Sequence, residues 1–233
     1  LLAPNGKPSN LSEDQYVEVR TQAYKQQYGD WEELAKGNAL RGEVVAKVKL
    51  GIIQARLGEK ASDAAYRWLQ ENPQPNIYRL GVGEVIFDKK SISDTLGHGF
   101  SGKKLNALTA VKEVIENGTE LDASMDFEGK PLRNWVIAAP VELNDQRHTM
   151  FVRLRRDIAE PNSSHRFYVH EILLEDHVVN KETSPFKSSS DPEVFRGKKS
   201  GGTGFYLSLA RRALSVNAKD IKVPLDKNGE PLM

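Results

Sequence analysis

Five histidines stand at 98, 148, 165, 170 and 177 of the 233-residue chain, and two of them occupy settings suited to proton transfer. His98 lies between Gly97 and Gly99, just ahead of a segment with helical spacing that opens on Lys103 and Lys104. Flanking glycines leave the imidazole uncrowded. A helix N-terminus beside two lysines attracts an anion such as phosphate, and an imidazole there exchanges protons near neutral pH. The alternative is a loop histidine that caps or hydrogen-bonds locally. His170 falls within a strand-like run whose alternation sets Arg166, Tyr168 and His170 on one face and Phe167, Val169 and Leu173 on the other. In the run before it, Phe151, Arg153 and Arg155 share a face opposite Met150, Val152 and Leu154. If the two polar faces adjoin, an imidazole, a phenol and two guanidinium groups meet on one patch of sheet. The alternative is an ordinary solvated face of an antiparallel sheet. His148 and His165 flank turn-like residues and His177 follows the last strand, so all three are expected at the surface.

Other chemistry is poorly represented. No His-Glu-x-x-His spacing and no Asp/Asn-rich calcium loop occurs, so no metal and no cofactor is indicated. The absence of cysteine removes disulfides, thiolate clusters and a thiol nucleophile. Lys198-Lys199-Ser200-Gly201-Gly202-Thr203-Gly204 is glycine-rich, but it lacks the order of a phosphate-binding loop and reads as a flexible loop capped by Thr203.

The elements that must position these residues follow from periodicity and punctuation. Ser12-Glu13-Asp14-Gln15 has the form of a capping box, and Tyr16, Val19, Ala23, Tyr24 and Tyr28 continue it at helical spacing to Gly29. Residues 39–57 and Ala61–Glu71 carry further helical stripes, the latter stopped by Asn72-Pro73. Short extended pieces at Ile77–Leu80 and Glu84–Phe87 precede a helix from about Gly102 to Glu116, capped by Ser101 and ended by Asn117-Gly118. Four strand-like runs follow, Thr119–Phe127, Asn134–Leu143, His148–Arg155 and Arg166–Glu175, separated by Glu128–Pro131, Asn144-Asp145 and Glu160–Ser164. The economical topology is α+β: an N-terminal helical region, then a helix packed on a four-stranded antiparallel sheet. Beyond it, 181–203 is polar, Lys187–Ser190 reads as a mobile loop, Phe205–Leu214 as a last helix, and Ile221–Pro224 as an edge strand or exit linker. The expected divisions are 1–78, a helical joining region; 79–180, the α+β unit; and 181–233, loop, helix and linker.

Charge constrains the partners. The chain carries a net +1, distributed as 0 over 1–78, −3 over 79–180 and +4 over 181–233. The α+β unit is therefore not globally basic, and phosphate affinity would have to come from local clusters. No apolar run approaches the length of a bilayer span and no signal-peptide pattern opens the sequence, so no membrane partner is expected.

Leu2-Ala3-Pro4-Asn5-Gly6-Lys7-Pro8-Ser9-Asn10-Leu11, with Val19-Arg20-Thr21 and Tyr28-Gly29-Asp30-Trp31-Glu32, resembles the joining segment of large polyvalent proteins of phages and mobile elements and of some polymorphic toxins. Asp226–Leu232 is similar to a junction that leads into a further effector module. Residues 92–176 resemble polyvalent-protein-associated domains of the barnase–EndoU–colicin–RelE nuclease class, on Gly97-His98-Gly99, the run Ala110–Gly118 and Phe167-Tyr168-Val169-His170-Glu171.

That resemblance implies metal-independent RNA cleavage, in which a base activates the ribose 2′-OH, cations stabilise the phosphorane and an acid protonates the leaving oxygen. It implies His98 and His170 exchanging the base and acid roles, Arg153 or Arg155 with Lys103 for charge, Tyr168 to orient phosphate, and Lys104, Arg155 and Arg166 as further substrate contacts. The implied partners are RNA, tRNA included, an immunity or inhibitor protein and neighbouring modules. The implied place of action is the cytoplasm of a producing or target bacterial cell, reached by secretion or phage injection. Glu171 beside His170 departs from such a cationic site. Two other readings stand beside the ribonuclease: a non-catalytic connector or protein-binding domain of a polyvalent protein, and an accessory segment of an ADP-ribosyltransferase effector.

Overall fold

The computed structural model describes residues 1–3, 6–74, 76–97, 101–127, 130–157, 167–176 and 202–222. Its centre is a mixed seven-stranded sheet built from β1 (Ala46–Val48), β2 (Ile77–Arg79), β3 (Gly83–Ile86), β4 (Thr119–Phe127), β5 (Lys130–Leu143), β6 (Gln146–Asp157) and β7 (Phe167–Asp176). The strand order is β1-β5-β6-β7-β3-β2, and β4 pairs with the first half of β5. The long antiparallel meander β4–β7 is the one expected from the alternation. A two-residue hairpin joins β5 to β6, with positive φ at both Asn144 (45°) and Asp145 (62°), backbone that Asn and Asp tolerate and that matches the twist of the flanking strands.

The expected four-stranded antiparallel sheet is corrected in two respects. β1 pairs in parallel with β5, and β3 in parallel with β7, so the sheet is larger and mixed. Each added strand has only three or four residues, too few for a period of two to stand out, and their partners lie far away in sequence. The stripe across 39–57 is accordingly not a helix. α3 (Trp31–Arg41) ends at Gly42, and the chain turns out to lay β1 on β5.

Both faces of the sheet are covered. One packs Trp135, Ile137, Ala139, Met150, Val152, Leu154, Phe167, Val169 and Ile172 against α4 (Ala61–Glu71), α5 (Lys89–Gly97), α6 (Gly102–Ala107) and α7 (Val111–Asn117). The other packs Leu121, Val136, Ala138 and Phe151 against Leu40 of α3 and Tyr206, Ala210, Ala213 and Leu214 of α8 (Gly202–Ser215). The expected 102–116 helix is broken by a 3₁₀ turn at Leu108–Ala110, although Ser101 caps its start as anticipated, accepting from the Lys104 amide. Similarly, the first helix divides into α1 (Glu13–Glu18), with its capping box, and α2 (Gln22–Tyr28), restarted by the Thr21 side chain. α5 had no sequence expectation. Asp88 starts it by accepting from the Ser91 amide. Among the described residues no helix is long and apolar enough to cross a membrane.

α8 is held to α3 by a close crossing. Arg212 reaches Glu33 at 2.8 Å, Arg41 donates to the Leu214 carbonyl at 2.7 Å, and a Cβ on Gly37 would stand 2.4 Å from the Ala213 carbonyl oxygen. Gly37→Ala thus sets a helix-propensity gain of about 1 kcal/mol against a larger backbone clash, and a net loss of about 1–2 kcal/mol is expected in urea denaturation. A stabilised variant would show that α8 can move away freely. The expected loop at Lys187–Ser190 lies outside the described residues. Ile221 and Lys222 are not in a strand, Lys222 N–H instead donating to the Tyr28 carbonyl at 2.8 Å, while residues 223 and 224 fall outside the described part.

Candidate functional site

The polar residues of interest collect around an irregularity in β7. Leu154 pairs with Val169, but the next step pairs Arg153 with Glu171, so His170 is the extra residue of a β-bulge. A bulge reverses the faces of all residues beyond it. Unbroken alternation would set His170 beside Arg153. The bulge sets Glu171 there instead, and turns Ile172 and Leu174 rather than Leu173 into the core that holds Phe167 and Val169.

Beneath α8 this produces an enclosed polar cluster. Arg153 Nε donates to Asn134 Oδ1 at 3.2 Å, and Arg153 Nη1 lies 3.8 Å from Glu171 Oε2. The Tyr206 hydroxyl donates to that same carboxylate at 2.7 Å. Burial, reinforced by the neighbouring Glu171 charge, pushes the Tyr206 pKa well above its ordinary range. Lys104 is buried on α6, and desolvation lowers its pKa while Glu171 opposes the shift. The cluster is thus a compensated ionic group, with one carboxylate serving an arginine and a phenol.

A second cluster lies between α5 and β7. His170 Nδ1 is 3.6 Å from Asp94 Oδ2, and Lys90 reaches the same oxygen at 3.4 Å. Lys90 also lies 4.1 Å over the Tyr168 ring, which meets His170 edge to face at 6.0 Å. Burial works against the Lys90 charge, but Tyr168 and Asp94 outweigh it and raise its pKa. The arrangement sets an imidazole near a carboxylate, beyond hydrogen-bond distance, with a cation close by.

The expected site residues are therefore distributed unevenly. His98 and Arg166 lie outside the described residues, as do His165 and His177. Arg153 and Tyr168 are near the bulge, but Arg153 is committed inward. Arg155 pairs in register with Asn134 on one side and Tyr168 on the other. Lys103 is exposed and Lys104 buried. His148, expected at the surface, is only 3% exposed because β5 and β7 flank its strand on both sides. Asp94, Lys90, Asn134 and Tyr206 were not singled out by the sequence. The one signal available was the i, i+4 spacing of Lys90 and Asp94. No group of residues able to hold a metal ion occurs among those described.

The N-terminal residues that resemble a joining segment make a further feature. The Tyr16 hydroxyl donates to the Leu2 carbonyl, the Arg20 guanidinium stacks 3.4 Å over the Tyr16 ring and pairs with Glu32 at 2.7 Å, and the Trp31 indole donates to the Val19 carbonyl. Tyr16, Arg20 and Glu32, together with Leu1–Ala3, Lys36, Gly81, Glu120 and Trp135, line a cleft of about 360 Å³.

No curated protein and no solved structure matches the chain. Residues 59–168, from just before α4 to the start of β7, match the family model of large polyvalent protein-associated domain 3. The match supports polyvalent-protein association and leaves the nuclease class without support.

Proposed function

We propose that the chain is a non-catalytic connecting module of a large polyvalent protein, a folded spacer that sets neighbouring modules relative to one another. The observation that carries this reading is the anchoring of both flanks of the fold on one helical pair. Leu2 is held by Tyr16 and Arg20 of the α1–α2 region, and Lys222 by the last carbonyl of α2. Leu2 and Lys222 are thus tied to the same helical pair, which supports a unit held beside its neighbours. The inward commitment of Arg153 to Glu171 and Asn134 adds to it, since one of the two arginines expected to stabilise a phosphorane is already neutralised.

The chain has no native cysteine, so dyes placed through Lys7→Cys and Lys222→Cys report this geometry directly. A separation below about 30 Å is expected, since α2 advances only about 1.5 Å per residue and the remainder is side-chain and dye reach. A separation beyond about 40 Å would leave the two flanks unanchored and remove the basis of the reading.

A specific observation favours the ribonuclease as a second reading. α5 ends at Gly97, one residue before His98, and its Asp94 lies 3.6 Å from His170 Nδ1. On that reading the Asp94–His170 pair supplies one proton-transfer group and His98 the other, with RNA as substrate.

A further inference from the structure

Among the described residues, the sheet face under α8 holds two buried donor atoms with no hydrogen-bond partner. Asn134 is 2% exposed, and its Oδ1 is fixed as acceptor by Arg153 Nε, so its amide nitrogen must point the other way; that Nδ2 has no hydrogen-bond partner. Arg155, directly across the β5–β6 ladder from Asn134, has a buried Nε that is likewise unpartnered. Both residues lie on the same face, because residues paired in register point to the same side. Buried donors left unsatisfied cost about 1–3 kcal/mol each, more when charged. Two such groups side by side describe a receptor for acceptor oxygens.

The surrounding charge says what kind of oxygen. Arg155 makes no ion pair among the described residues, and neither do Arg133 and Arg156, which are themselves paired across the same two strands one residue further along. Like charges directly across a ladder are destabilising. The carboxylate that does reach the cluster, Glu171, is shared by Arg153 and Tyr206. Asp122 of β4, on the same face beside Val136, forms no ion pair. Arg133 and Arg156 point to the other face, over the Trp135 and Phe167 rings, so among the described residues Arg155 is the guanidinium on this face without a counter-charge, and its planar fork beside the Asn134 amide suits the oxygens of a phosphate.

We propose that Asn134 and Arg155 form an oxyanion site for a phosphate group, with Asn134 Nδ2 and the Arg155 guanidinium as donors and Arg153 holding the amide in its donating orientation. This site is independent of proton transfer at His170 and of the connector reading. It requires no cleavage, and a connecting module with a phosphate site gains a point of attachment.

The test is a titration of the ¹⁵N-labelled full chain with inorganic phosphate, ionic strength being held constant with sodium chloride, while the Asn134 side-chain amide signal is followed. A saturable shift is expected. It should weaken about tenfold or more in Arg155→Gln, the loss of one charge-assisted bond, and persist within about threefold in Arg133→Gln, which lies on the opposite face. Folding of each variant is checked by its backbone spectrum. A single-stranded oligonucleotide that binds about tenfold more tightly than inorganic phosphate would identify a phosphodiester backbone as the source. Equal binding would identify a free phosphate or monoester. No saturable shift, or the same shift in Arg155→Gln, would overturn the proposal. So would saturation by a polyglutamate peptide with no response to phosphate, which would assign the face to an acidic protein partner.

Discussion

Glu171→Ala is expected to lower the stability of the fold by about 3–5 kcal/mol in urea denaturation, because it leaves Arg153 buried without its counter-charge. The same substitution strips the Tyr206 hydroxyl of its acceptor, and burial gives that hydroxyl little access to water. The double variant Arg153→Met/Glu171→Leu leaves no unpaired charge and should be milder than Glu171→Ala by about 1–2 kcal/mol, the residual loss coming from Asn134 Oδ1 and the Tyr206 hydroxyl, which lose their partners. Tyr206→Phe should cost about 1.5–3 kcal/mol, the value of one hydrogen bond to a charged group. This pattern, a severe single and a milder double, belongs to an internal ion pair. A double as severe as the single would mean that Arg153 or Glu171 holds something beyond its partner.

The second large effect is expected at Phe151. It is 1% exposed on β6, with its ring 5.8 Å from that of Tyr206 and its neighbours drawn from α3, β5 and α8. Phe151→Ala should cost about 3–5 kcal/mol, the loss of transfer free energy together with the cavity left under α8. Phe151→Leu, which keeps most of the volume, should cost about 1–1.5 kcal/mol. Hydrogen exchange on the variants separates two ways of losing that energy. If α8 is an integral layer of the fold, its amides exchange with the global transition. Selective exposure of α8 amides while β5 and β6 stay protected would show that this face survives without its cover.

Much of the central meander was legible because its strands are long enough to alternate and are separated by Asn144-Asp145 and by glycine- and proline-bearing turns. Ser12 and Ser101 announce helix starts through side chains that act within three residues, whereas the restart at Thr21 was hidden by helical spacing that runs on through it. What escaped depends on partners distant in sequence. β1 has three residues and no identity until β5 lies beside it. α5, with sequence Lys-Lys-Ser-Ile-Ser-Asp-Thr-Leu-Gly, offers few apolar positions to mark a stripe.

The bulge at His170 is the instructive case. The core phase runs on Phe167 and Val169, then on Ile172 and Leu174, a slip of one position that was present in the sequence. Leu173 concealed it, because three consecutive apolar residues fit either phase. The consequence fell on the site, where a carboxylate rather than an imidazole came to stand beside Arg153.

The most direct test of a connecting module against an RNA-cleaving one is to incubate the purified chain with total RNA and tRNA in EDTA and to examine the fragment ends. Intact RNA is the result this account predicts, unchanged in His170→Ala and in His98→Ala. Fragments ending in 2′,3′-cyclic phosphate from the parent chain, lost in both His98→Ala and His170→Ala, would contradict it.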